Sequence, residues 1–341
     1  MTTIKDVAIK AGVSVGIVSK AFNNYPDVSE NTRQKIFKVA EELNYTPNVV
    51  AKNLSSKRQL TIGMITSGFL DTDGKDNFNL FNLFKGVYSA VEDIPYELSY
   101  FFTDSKKQKQ KSYTKFCGER NIGGVILQGI TVEDHYFLEL VNTKIPCVLI
   151  DLTTKNGEGL IGDVSTNNFE ATREVASYLL DCHHRDIAII AGKIETVVNT
   201  ERIAGVITAF QDRGLELQEE DVLHANFSEE QAYIMAKQYL ETKRPTAFLC
   251  FSDLMAFGVM RAVKEAGLRI PEDISVTGFD GLVVAEYTHP RLTTVKQDFF
   301  EIGKQAAILL QRMMENKEAK KRVFVPHQLI KRESVKTLEP K

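Results

Sequence analysis

Eight short apolar runs spread over residues 60–279 constrain this chain more than any other feature: LTIGMI, ELSYFF, GGVILQ, CVLI, LIGDV, IAIIAG, TAFLCF and ISVTGF. Longer amphipathic segments separate them, at 77–93, 106–119, 166–181, 199–213, 229–241 and 253–266. Strands alternating with helices predict parallel sheets in an α/β fold. There are too many strands for one comfortable sheet, so two doubly wound subdomains are expected. Such sheets bind ligands at the carboxyl ends of their strands, and a cleft between two of them suits a small molecule. A length of 341 residues leaves room for a further small domain.

The first sixty residues differ in charge. Residues 1–59 carry nine basic and five acidic side chains, a net of +4, whereas the remainder carries 33 and 40, a net of −7. A small basic segment on an acidic body suggests one part that meets a polyanion; chance lysines on a solvated segment are the alternative. Thr3 precedes a helical pattern and Asp6 follows three later, a capping-box start. Ile4, Val7, Ala8 and Ala11 then form one apolar stripe, ended by Gly12. Ser14 caps a second helix with Val15, Val18 and Phe22 spaced toward the same core. Ser29 and Glu30 open a third, with Ile36, Val39, Ala40 and Leu43 on its inner face. The tight turn Gly12-Val13-Ser14 predicts a helix-turn-helix, although spacing alone also allows a plain three-helix bundle.

The residues narrow this choice. TIKDVAIKAGVSVGIVSKAFNN and VSENTRQKIFKVAEELNYTPNVVAKNL contain D-V-A, A-G-V-S, V-S-[RK], V-S-x-x-T-R, L-x-Y-x-P-N and A-x-x-L in order. They resemble the DNA-binding headpiece of the lactose/galactose repressor (LacI/GalR) family. The resemblance implies that Val15 and Gly16 occupy base-reading positions at the start of the recognition helix, with Lys20 where the family usually has Arg. Gly16 offers no side chain, Val15 only apolar contact, and Lys20 lacks the rigid fork of Arg. Thr3, Ser14, Ser19 and Asn23 are the expected phosphate contacts.

Thr46 and Pro47 suit a helix start, and Asn48–Ser56 allows about nine helical residues, too few to be stable alone in water. Without DNA this segment reads as a flexible linker. The resemblance implies that two copies from a homodimer fold in the minor groove. Leu54 would be the wedge, and Asn48, Ala51 and Lys52 would line the groove.

The similarity extends through RPTAFLCFSDLMAFGVMRAVKEAGLRIPEDISVTGFD and HPRLTTVKQDFFEIGKQAA. It implies a periplasmic-binding-protein-like core of two doubly wound parallel-sheet subdomains behind the N-terminal all-α helix-turn-helix headpiece. The expected division is a headpiece at 1–45, a hinge at 46–59, one subdomain at 60–161 with 293–322, and another at 162–292 with 323–336. Asp151, Arg202, Phe227, Ser252 and Asp280 are the implied effector-binding residues. Two carboxylates and an arginine fix several sugar hydroxyls, and an aromatic face covers the ring. Alternatives remain: Phe227 as core, Arg202 as a surface partner of Glu201 or Glu195, and Asp253 as a helix cap rather than a ligand. Ser252 stands where the family often has Asn, and GFDG replaces the commoner GFDD or GFDN.

Other motifs fail on context. Gly157–Gly162 matches G-x-G-x-x-G but runs into a strand-like stretch instead of opening a helix. Asp71–Asp76 looks calcium-like yet has Asn82 where a bidentate Glu belongs. His183-His184 lacks metal-ligand spacing, Cys117, Cys147, Cys182 and Cys250 lie far apart, and no G-x-S-x-G occurs. No metal, cofactor or catalytic residue is expected, and the chain is not read as an enzyme. With no apolar leader and no spanning helix, a cytoplasmic protein without membrane contact is expected. The reading is a homodimeric transcriptional regulator, a repressor of carbohydrate-utilisation genes. It would bind double-stranded, pseudo-palindromic operator DNA and answer to a small sugar-like effector. A regulator that needs a phosphoprotein co-regulator is the alternative, with a solute-binding protein behind it.

Overall fold

The computed structural model describes residues 2–46, 61–68, 77–140, 142–154, 160–317 and 321–340. It divides into a small unit through Leu60 and a large one from Thr61.

Among the described residues of the small unit there are three helices: α1 (Ile4–Ala11), α2 (Val15–Phe22) and α3 (Glu30–Glu42). Asp6 accepts from the backbone N–H of Thr3 at 2.8 Å and from its hydroxyl at 2.7 Å, fixing the start of α1. Ser14 and Ser29 cap α2 and α3 through their hydroxyl oxygens. Val7, Ala8, Ala11, Val18, Ala21, Val28, Ile36, Val39 and Ala40 make the unit's own core. Val15, spaced for that core, is instead 40% exposed, because the cluster closes over Val18 and Ala21 further along α2.

The large unit contains two six-stranded sheets. The first is built from β1 (Thr61–Ser67), β2 (Glu97–Thr103), β3 (Ile122–Gln128), β4 (Cys147–Ile150), β5 (Ile161–Thr166) and β11 (Arg322–Val325), in the order β11-β5-β4-β3-β1-β2 and parallel throughout. The second contains β6 (Ile187–Ala191), β7 (Val222–His224), β8 (Ala247–Cys250), β9 (Ser275–Asp280), β10 (Thr293–Lys296) and β12 (Gln328–Ile330). Its order is β12-β10-β9-β8-β6-β7, with only β12 antiparallel. The central strands CVLI, IAIIA and AFLC are buried along their whole length, as parallel strands covered on both faces must be.

Helices cover both sheets. The first carries α4 (Asn77–Val91), α5 (Ser105–Gln110), α6 (Tyr113–Glu119), α7 (His135–Leu140) and α12 (Phe299–Met314). The second carries α8 (Asn168–Asp181), α9 (Val197–Gln211), α10 (Glu229–Thr242) and α11 (Asp253–Glu265). The segment expected at 106–119 is two helices because Lys111 is extended and Ser112 caps a new start. His184 is a structural tie, bonded to Thr246 Oγ1 and the Lys336 carbonyl at 3.0 Å each, which holds the C-terminal tail on the second subdomain. The four cysteines are buried and unbridged, and burial pushes the Cys117 thiol up to about 12.

The chain crosses between subdomains three times, each time later than expected. Boundaries at 161/162, 292/293 and 322/323 cut through or in front of β5, β10 and β11. Strand pairing keeps β5 and β11 in the first sheet and β10 in the second, so the crossings follow Thr166, Lys296 and Val325.

Helices α4 and α12 meet through glycines. A Cβ at Gly86 would lie 1.9 Å from the Phe300 carbonyl oxygen, and one at Gly303 would lie 2.0 Å from that of Leu83. Alanine at either position forces the helices apart, at a cost of about 1–3 kcal/mol. Calorimetry of Gly86→Ala and Gly303→Ala should show a lowered core transition; unchanged midpoints in both would contradict this packing.

Candidate functional site

The small unit presents an exposed strip at the start of α2. Ser14, Val15, Gly16 and Ile17 all face outward, Ile17 at 38% exposure, and Lys20 extends the strip one turn on. Several groups expected to meet phosphate already have internal partners. The Thr3 hydroxyl donates to Asp6, Ser14 Oγ accepts from Ile17 N at 3.3 Å, and Asn23 Nδ2 donates to the Ser19 carbonyl at 2.9 Å. Lys20 pairs with Asp27, and each raises the charged character of the other: the lysine pKa moves up and the aspartate's down. Asn48, Ala51, Lys52 and Leu54 lie outside the described residues.

Arg33, the arginine of V-S-x-x-T-R, has a role that sequence reasoning missed. Its guanidinium donates to the carbonyls of Ala21 and Tyr25 at 3.0 Å, to that of Val28 at 3.4 Å and to Asn24 Oδ1 at 2.7 Å. It clamps the loop between α2 and α3.

In the large unit the carboxyl ends of both sheets border a cavity of about 180 Å³. All five effector residues expected from the sequence, Asp151, Arg202, Phe227, Ser252 and Asp280, line it. Asp151 follows β4 at φ +56°, and its Oδ1 accepts from Ser165 Oγ at 2.8 Å. Burial pushes its carboxyl up, while the Ser165 hydroxyl and the Arg202 charge draw it back. Arg202 is not a surface partner of Glu201 or Glu195, for it is only 4% exposed. Its Nε donates to Asn168 Oδ1 at 2.8 Å and its Nη1 to the Phe251 carbonyl, and its guanidinium lies 3.7 Å over the Phe279 ring. Glu201 turns instead toward Asn168, and burial raises its carboxyl.

Asp280 ends β9 at φ +122°, where its Oδ1 accepts from Gln297 Nε2 at 2.8 Å. Phe227 does both things the sequence allowed: it packs on the second core and lines the cavity. Ser252, not Asp253, is the cap of α11, its Oγ accepting from Met255 N at 3.2 Å. Asp253 is fully buried, accepting from Leu282 N at 2.7 Å and Thr294 Oγ1 at 2.6 Å; burial pushes its carboxyl up to about 7. It ties α11 to β10.

Asn79, Gln128, Gln297 and Phe299 also line the cavity. Gln128 ends β3, so the rule that ligands meet strand ends was enough to find it. Gln297 follows β10, a strand whose sequence, TTVK, carries little apolar signal. The Oε1 atoms of Gln128 and Gln297 are both buried without a hydrogen-bond partner. Two carboxylates and two unpaired amide oxygens make the site rich in acceptors, with one guanidinium among them. It suits a ligand that brings several donors.

Comparison with known proteins agrees with this division. Residues 3–48 match the family of bacterial regulatory proteins of the lacI family, and residues 176–335 match a periplasmic binding protein-like domain. The chain is 35% identical over 346 aligned residues to the HTH-type transcriptional repressor PurR of Vibrio atlanticus, covering 99% of this chain and 100% of the relative. The PurR repressor of Proteus mirabilis is 33% identical, covering 98% and 97%. Among solved structures, the Lac repressor dimer bound to operator and the anti-inducer ONPF superposes with a TM-score of 0.84 at 27% identity, over 98% of this chain and 99% of that one. A complex of the transcriptional regulator CelR with cellobiose gives a TM-score of 0.73 at 26% identity, over 98% and 100%. The chain therefore belongs to the lacI family of bacterial regulatory proteins, and it is a transcriptional repressor with a DNA-binding headpiece and an effector-binding core rather than an enzyme.

Proposed function

We propose that this repressor binds a pseudo-palindromic operator as a homodimer, acts in the cytoplasm on carbohydrate-utilisation genes, and answers to a sugar or sugar derivative in the cleft. The acceptor excess around the cavity carries the effector assignment. Each sugar hydroxyl donates one hydrogen bond, and Asp151, Asp280, Gln128 and Gln297 offer acceptors from several directions. Phe227 and Phe299 supply apolar faces for the ring. A volume of about 180 Å³ lies below the roughly 300–1,000 Å³ of drug-sized sites and favours one small ring. The cellobiose complex of a structural relative is in keeping with a carbohydrate ligand.

Dimerisation is supported by an aromatic strip on the first subdomain. Phe81, Tyr88 and Phe102 are exposed, and ring contacts link Phe84 to Tyr88 and Tyr100, and Tyr100 to Phe102. The strip borders β2, an edge strand, and such an edge needs cover. The Lac repressor relative was solved as a dimer on operator.

On DNA, the start of α2 would enter the major groove, with Val15, Gly16 and Lys20 at bases and Thr3, Ser14, Ser19 and Asn23 along phosphates. Asn48, Ala51, Lys52 and Leu54 would follow the minor groove. Cleft closure on effector would move the first subdomains of the dimer and loosen those paired segments. A switch from 1:99 to 99:1 needs about 5.5 kcal/mol of differential affinity, which favours both subunits acting together.

Thermal-shift screening against carbohydrates and nucleobases tests the effector class: sugars should raise the core midpoint, and stabilisation by nucleobases alone would overturn the assignment. Asp151→Asn should keep the ligand-free midpoint but weaken sugar binding by about 1.5–3 kcal/mol, the worth of a charged hydrogen bond; unchanged affinity would remove Asp151 from the site. Leu54→Ala should weaken operator binding more than binding to unrelated duplex, while equal losses on both would rule out a wedge.

A further inference from the structure

The exposed face of α2 is poor in base-reading groups, with Val15, Gly16 and Ile17 leading and Lys20 as its cation. That cation is held by Asp27, a carboxylate from outside the helix. Both side chains are exposed, at 49% and 53%. Of the other carboxylates of the small unit, Asp6 caps α1, Glu30 pairs with Arg33 and Glu42 with Lys10, while Glu41 lies exposed near the end of α3.

Asp27 stands on a fixed platform. Tyr25-Pro26-Asp27-Val28 is a turn closed by Val28 N donating to the Tyr25 carbonyl at 3.3 Å, with Pro26 at the position where its ring presets the backbone. Arg33 holds both ends of that turn through the Tyr25 and Val28 carbonyls. The carboxylate is therefore presented to Lys20 by rigid backbone.

We propose that Asp27 is a specificity-determining residue and that the Lys20–Asp27 pair reads one G·C base pair in each half-site. The major-groove edge of G·C offers two adjacent acceptors, guanine N7 and O6, followed by the cytosine N4 donor. An ammonium beside a carboxylate matches that row: Lys20 donates to N7 and O6, and Asp27 accepts from N4. An A·T pair places its donor between two acceptors and breaks the match. On unrelated sequence the carboxylate faces phosphates without a donor, so it opposes non-specific binding. Asp27 thus acts chiefly by discrimination.

The proposal rests on α2 as the base-facing helix, and the experiment separates the two claims. Full-length wild type, Asp27→Asn, Lys20→Ala and the double variant are each selected against a randomised duplex library and titrated on a mixed-sequence duplex. Asp27→Asn should bind the mixed duplex about fivefold tighter, the effect of one like charge near the backbone. It should also lose its G·C preference at one position per half-site, and in the Lys20→Ala background it should change no base preference. A uniform tightening with every base preference intact would overturn the reading role of Asp27. If Lys20→Ala leaves both affinity and selected sequence unchanged, α2 is not the reading helix and the underlying assignment fails instead. Circular dichroism of each variant confirms the headpiece helices, and both altered side chains are exposed, so folding is expected to survive.

Discussion

The cleft is organised around one buried cation. A guanidinium removed from water must be met on nearly every side, or it destabilises the fold. Arg202 meets this demand with Asn168, the Phe251 carbonyl and the face of Phe279. Asn168 is the first residue of α8, directly after the first crossing, and its Nδ2 also donates to the Thr166 carbonyl at 3.1 Å and to Ser165 Oγ at 3.2 Å. Ser165 in turn donates to Asp151. A hydrogen-bonded chain therefore runs from Asp151 in the first subdomain, through the crossing, to Arg202 in the second. A ligand that engages both ends acts on the joint itself, which is where a movement of one subdomain on the other has to be absorbed.

Much of this was legible locally. Helix caps at Ser14 and Ser29, the stripe Val7-Ala8-Ala11 and the fully apolar strands each depend on residues a few positions apart, and all appear as expected. What escaped depends on partners far along the chain. Threonine-rich β10 and three-residue β12 are strands because neighbouring edges accept them, not because their own sequences demand it. The crossings were placed early for the same reason: β5 and β11 pair with each other, 150 residues and more apart in sequence, which no local pattern reveals.

The site divides along the same line. Asp151, Phe227, Ser252 and Asp280 follow strand ends or cap a helix, so family spacing located them, whereas Arg202 needed burial to decide between cleft and surface. Ser252 and Asp253 show the limit of residue type as a guide. Both can cap a helix, and only the Leu282 N–H and Thr294 hydroxyl, brought in by β9 and β10, draw Asp253 inward and leave the cap to Ser252. In the headpiece, Arg33 carries no local signal of its role: four acceptors at the end of α2 and along the following loop make it a structural clamp.

A repressor of this design requires that effector and operator feel each other through the chain. Coupling between two binding equilibria is reciprocal, so each ligand must change the affinity of the other by the same factor. The decisive measurement is calorimetric titration of the full-length protein with the effector that stabilises its core, free and saturated with operator duplex, beside operator titration with and without that effector. The account predicts one common factor from both directions, of about 5–150-fold. An effector affinity indifferent to bound operator would contradict it.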